Sequence, residues 1–166
     1  MDINWLAMLV AALIPLAVGA LWYSPMLFAN AWMKATGLTE DALKKGNMAL
    51  IFGLTFVFSF MLAMILNSVV IHQTHVYSVL LDEPGFGDPN SEIGKWLSDF
   101  MAKYGQNYRS FKHGALHGTI SAIFFALPLV AINALFERRS GRYIAIHAGY
   151  WIVTLALMGG VVCGWQ

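Results

Sequence analysis

The chain has 166 residues, of which 58% are hydrophobic and 11% charged, with ten Lys and Arg against nine Asp and Glu. A soluble domain carries about 25% charged residues, so a water-soluble globule is excluded, and a net charge of +1 gives no footprint for nucleic acid. A single cysteine, Cys163, excludes an internal disulfide.

Four apolar runs fill most of the chain: Trp5–Phe28, Met48–Ile71, Phe111–Phe136 and Tyr143–Trp165. Each reaches the ~20 residues a helix needs to cross a hydrocarbon layer ~30 Å thick. None carries Asp, Glu or Arg in its middle. They predict an all-α integral membrane bundle of four transmembrane helices in contact with the lipid bilayer. We read one domain over 1–166, with spans near 4–28, 48–71, 111–136 and 143–165. The first run lacks a basic leader segment and follows Asp2, so it is expected to be a retained helix. Pro15 and Pro128 fall inside spans one and three and should kink them.

After the first span, the helix of Ala31–Thr36 should stop at Gly37. Thr39 should cap a short helix whose first turn holds Glu40 and Asp41, and Gly46 should end it. The second span continues apolar to Leu81, and a single helix from Met48 to Leu81 would run ~50 Å. The outer loop, 82–110, opens with the turn-rich stretch Asp82–Pro89. Asn90 or Ser91 can then cap an extra amphipathic helix. Its apolar stripe is Ile93, Trp96, Leu97, Phe100, Met101 and Tyr104, with Gly105 as its stop. That helix should lie on the outer interface or cap the bundle. In span three, Gly114 and Gly118 form the GxxxG pattern that lets helix backbones approach, and Gly159, Gly160 and Gly164 offer the same in span four.

Basic residues set the orientation. Lys34, Lys44 and Lys45 lie in the first loop and Arg138, Arg139 and Arg142 in the third. The positive-inside rule puts these loops in the cytoplasm of a cell with this protein in its inner membrane, and both termini outside.

Histidines are the sharpest chemical signal. His72 and His75 are spaced i, i+3, and His113 and His117 i, i+4, so each pair shares a helix face. Spans two and three run antiparallel, and at ~1.5 Å per residue His72 and His113 both stand ~34 Å from the inner surface. If the spans are neighbours, four imidazoles could converge under the amphipathic helix. Neutral imidazole is the commonest ligand for zinc, copper, iron or nickel. Three readings stay open: a divalent transition metal site, a proton-titrating cluster, and structural hydrogen bonding, which is the commonest use of such residues. Asp82, Glu83 and Asp99 are candidates to complete a ligand set. A second polar group, Tyr23, Asn133, His147 and Tyr150, lies at similar depth near the inner surface and can hydrogen-bond across helices.

The opening Asn4-Trp5, then Gly19-x-Leu21-Trp22-Tyr23-Ser24-Pro25-x-Leu27-Phe28, Trp32 and Gly37, resembles a bacterial domain-of-unknown-function family, number seventeen sixty-one. So do Ile132-Asn133, Phe136-Glu137-x-Arg139-Ser140, Ala148-Gly149-Tyr150-Trp151 and the closing Met158-Gly159 and Gly164-Trp165. The segment from about His72 to Arg109 is longer and richer in histidine than that pattern. The resemblance implies a small multi-span membrane protein and transfers no catalytic residue.

Three function classes remain: a homo-oligomeric transporter or channel, an accessory or scaffold subunit of a larger membrane complex, and a metal-binding protein or membrane enzyme using the outer histidines. No nucleophile–base pair or acidic pair lies within the bilayer, so no catalytic residue is assigned. The sequence favours a non-enzymatic oligomeric membrane protein.

Overall fold

A computed structural model describes residues 3–166. Among them every regular element is helical. The helices are α1 (Trp5–Trp22), α2 (Ala29–Thr36), α3 (Glu40–Lys44), α4 (Met48–Val70), α5 (Gln73–Val79), α6 (Glu92–Tyr104), α7 (Phe111–Phe136) and α8 (Gly141–Gly164). Four of these, α1, α4, α7 and α8, are long and apolar enough to cross a membrane.

Their starts follow from side-chain capping. The oxygens of Asn4, Thr39, Asn47, Ser91, Ser110 and Ser140 accept from backbone N–H groups in the first turns of α1, α3, α4, α6, α7 and α8. Each cap satisfies a donor that helix geometry leaves without a partner. Gly37 closes α2 in the left-handed conformation, with φ 77°, which glycine adopts without steric cost. Helix α7 widens into a π-helical turn over Ala122–Ala126, immediately before Pro128. Pro128 cannot donate to the turn below it, and a widened turn absorbs the misfit.

Helix α8 is the centre of the bundle and packs against α1, α4 and α7. The core joins Met8 and Ala11 of α1, Ala63, Leu66 and Val70 of α4, Ala122 of α7, and Leu155, Met158 and Val162 of α8. The α7–α8 contact is the closest. A Cβ on Gly114 would overlap the Gly159 carbonyl, and one on Gly118 would overlap the Leu155 carbonyl. The GxxxG pattern therefore sets a backbone-to-backbone interface, as expected.

Two ends of the bundle are distinguishable. At the terminal end, Asn4 Nδ2 donates to Trp165 O at 3.3 Å and Gln166 Nε2 to Arg109 O at 2.8 Å. At the loop end, Arg139 Nη1 donates to Thr36 O at 3.1 Å, joining the two basic loops.

Helix α4 does not continue to Leu81. Ile71 turns extended, with φ −110° and ψ 95°, and α5 starts afresh at Gln73. The break is held by Thr74 Oγ1, which donates to Ile71 O at 2.7 Å. A local side-chain bond of this kind competes with the helix ladder, and hydropathy alone does not register it.

Candidate metal centre

His72 sits in the break between α4 and α5, while His113 and His117 lie one turn apart on the first turns of α7. Their rings form a nearly equilateral triangle. Centroids are 4.9 Å apart for His72–His113, 4.8 Å for His72–His117 and 4.5 Å for His113–His117. One ring nitrogen from each can be chosen so that all three lie within 4.8 Å of one another. The Nε2 atoms of His72 and His113 are 2.9 Å apart, so one must carry a proton and donate it to the other. Tetrahedral zinc with bonds of ~2.0–2.1 Å needs nitrogens about 3.3 Å apart. That pair has only to open by a few tenths of an ångström, and the third ligand has to close in.

The backbone around the triangle is firmly held. Gln73, buried next to His72, donates from Nε2 to the carbonyls of Tyr104 and Asn107 at 3.2 and 2.8 Å. Arg109 Nε donates to Cys163 O at 3.1 Å. Ser110 Oγ accepts from His113 N at 3.3 Å. Tyr108 adopts a left-handed φ of 61° and holds its ring 5.1 Å from that of His113. A small cavity of about 300 Å³ beside His72 is walled by Gln73, Val76, Phe100, Tyr104 and Asn107. Helix α6 therefore flanks the triangle through its C-terminal turn.

The imidazole of His72 is held below its ordinary pKa, first by partial desolvation and then by the nearby His117 and His75. A lowered value keeps the ring neutral, the form that binds metal.

His75 does not join the triangle. It is exposed one turn further along, in α5, where its N–H bonds His72 O at 3.1 Å. The break at Ile71 lies before both residues and ends α4 there, so the i, i+3 spacing survives within α5 but only His72, at its start, reaches α7. Asp82, Glu83 and Asp99 are also outside the group. Three imidazoles alone leave a fourth coordination position for water or a ligand, the arrangement of open zinc sites.

At the loop end, Tyr23 and His147 meet, with Oη to Nδ1 at 3.0 Å. Tyr150 lies alongside, its ring 5.4 Å from that of Tyr23, and its hydroxyl donates to Pro15 O at 2.9 Å. His147 Nε2 is buried with no hydrogen-bond partner among the described residues. Asn133 is exposed on α7, and no hydrogen bond joins it to this group. Trp22 completes the corner by donating Nε1 to Ile146 O at 3.1 Å.

Gln73 and Tyr108 escaped the sequence reading. A lone glutamine between two histidines in an apolar run was the available signal for Gln73. Nothing local marks Tyr108.

A family described as a protein of unknown function (DUF1761) matches residues 6–163, and the chain belongs to that family. No curated protein and no solved structure matches it.

Proposed function

We propose that this family member is a multi-pass membrane protein that binds one divalent transition-metal ion through His72, His113 and His117. The observation that carries the reading is the convergence of three imidazoles, one from the α4–α5 break and two from α7, with His72 and His113 41 residues apart in the chain. Neutral imidazoles suit zinc, copper, nickel or iron, and the open fourth position suits exchange of the ion or polarisation of a small ligand. His75 and the acids of the long loop are not part of the ligand set.

Orientation follows from Lys34, Lys44, Lys45, Arg138, Arg139 and Arg142 at the loop end. By the positive-inside rule that end is cytoplasmic, and the metal site and both termini face outward across an inner membrane. A transport role is secondary in this reading. Between the histidines and the Tyr23–His147 pair the bundle is filled by Met8, Ala11, Leu66, Leu155 and Met158. A conduction path would have to run between copies of the chain in a homo-oligomer.

The test is elemental analysis of purified protein after zinc loading and removal of free ion, with thermal unfolding before and after chelator. One equivalent of metal and a chelator-sensitive unfolding temperature are expected. No retained metal and no chelator effect would overturn the metal reading.

A further inference from the structure

Helices α1 and α4 touch at the terminal end and part at the loop end. Near the termini Ala11 and Ala63 are fully buried, and small side chains let the two backbones close. Toward the loops α4 buries no residue before Ser59, and Ile51 and Phe52 are 46% and 52% exposed. The gap between them is a cavity of about 850 Å³. Gly19 of α1 and its C-cap Tyr23, Ile51 and Thr55 of α4, and Tyr150 of α8 wall it, and Leu43 of α3 helps close its loop-end floor.

This gap lies within the span of two membrane-crossing helices, so its neighbours in a bilayer are lipid chains. Its lining is apolar over most of its surface, which excludes water, while an empty gap of this size would forfeit the dispersion contacts of all its walls. An acyl chain satisfies both conditions. The charge at the mouth specifies the head. Lys44 and Lys45 directly follow Leu43 and precede Gly46, itself part of the lining. Lys34, Arg138, Arg139 and Arg142 lie at the same end, so six bases there face only Glu40, Asp41 and Glu137. Asp41 approaches Lys44 at 3.9 Å in an exposed pair, which leaves Lys45 uncompensated by it.

We propose that the α1–α4 groove is a binding site for one anionic phospholipid, with an acyl chain between the helices and the phosphate on Lys44 and Lys45. This site is independent of the histidine triangle and sits at the opposite end of the bundle. Gly19 is the position at which to close it. A Cβ there meets only the Tyr150 ring, at 3.7–3.8 Å, so a larger side chain enters the groove without striking backbone.

The experiment is native mass spectrometry of detergent-purified protein incubated with phosphatidylglycerol or phosphatidylcholine, with helicity checked by circular dichroism. One phosphatidylglycerol per chain should be retained. Gly19→Leu should lose it while keeping its helicity. The exposed double change Lys44→Gln and Lys45→Gln should weaken phosphatidylglycerol about tenfold or more and leave phosphatidylcholine unchanged. Equal retention of both lipids by the natural chain would overturn the anionic head. Retention unchanged by Gly19→Leu would overturn the groove. The lysine variant keeps the proposal open to refutation even if Gly19→Leu does not fold.

Discussion

At the terminal end of the bundle α7 and α8 meet backbone to backbone, whereas at the loop end α1 and α4 stand apart around a cavity. The glycines at 114, 118 and 159 leave no side chain between α7 and α8. That fixes the register of α7 and, with it, the direction in which His113 and His117 point. At the other end the gap has a mixed lining of small and large side chains, and beside it polar atoms join α1 and its C-cap to α8 as Tyr23–His147 and Tyr150–Pro15. Close packing creates a rigid frame for the histidines, and loose packing creates room. In lipid there is no hydrophobic force between helices, so small residues and polar bonds decide which of the two occurs.

The contrast can be broken most severely at Gly118. Leucine there would strike the Leu155 carbonyl, with no flexible side chain to give way. Overpacking costs about 1–3 kcal/mol even inside adaptable cores, and a backbone obstacle should exceed that. Gly118→Leu should therefore abolish the monodisperse folded protein in size-exclusion chromatography. The same change at Gly19, facing the open groove, should leave it monodisperse. Equal tolerance at both sites would dissolve the distinction between the ends.

The ligand frame is sharpened by alanine changes at the histidines. His72→Ala or His113→Ala should lower zinc affinity on the order of a hundredfold or more, because loss of a direct ligand exceeds the ~10–100-fold of outer-shell losses. His75→Ala should change it little. Competition titration against a chromophoric chelator reads both. A His75 effect as large as that of His72 would restore the four-histidine arrangement expected from the sequence.

The pH dependence has a definite sign. The His72 pKa is lowered in the folded protein, so the unfolded chain binds the proton more readily. Protonation therefore opposes folding as pH falls below the ordinary histidine value of ~6.5, and opposes metal binding only at the lower pH where the folded imidazole takes up its proton. Stability of the metal-free protein should be level above ~6.5 and decline below it, zinc affinity should begin to decline at a lower pH than stability, and His72→Ala should flatten the decline in the metal-free protein's unfolding temperature. An unchanged profile in that variant would assign the titration to another group.

The smallest effect is expected at the loop end. Tyr23→Phe removes the bond to His147 Nδ1, and polar bonds between membrane helices average about 0.6 kcal/mol. A shift in chemical unfolding of that order is expected. A much larger shift would make the pair a keystone of the fold.

Much of this arrangement was legible in the residues. Apolar run lengths placed four spans, Gly114 and Gly118 marked the tight interface, and matched heights along antiparallel helices brought His72 to His113. A straight helix to Leu81 was not legible, because Thr74 and the extended Ile71 end α4 through local bonds invisible to hydropathy. The i, i+3 spacing of His72 and His75 survives beyond that break, but spacing within one element does not say which of its rings reaches a neighbouring helix. Asn133 failed differently: its depth was right, but depth carries no information about which face of α7 it occupies. The groove was illegible for a related reason, since run length says nothing of how far two spans diverge.

Which face of the membrane carries the histidine triangle is tested by labelling single cysteines at Asn90 in a Cys163→Ser background. Labelling from outside intact cells is expected, and labelling only after the cytoplasm is opened would reverse the orientation.

The central claim is that three histidines hold one ion. X-ray absorption spectroscopy of zinc-loaded protein tests it most directly. The account predicts one zinc per chain with three imidazole nitrogens at ~2.0–2.1 Å and a fourth, lighter ligand completing a tetrahedron, a signature kept by His75→Ala and lost by His72→Ala. A spectrum of fully hydrated zinc, or one unaltered by His72→Ala, would contradict it.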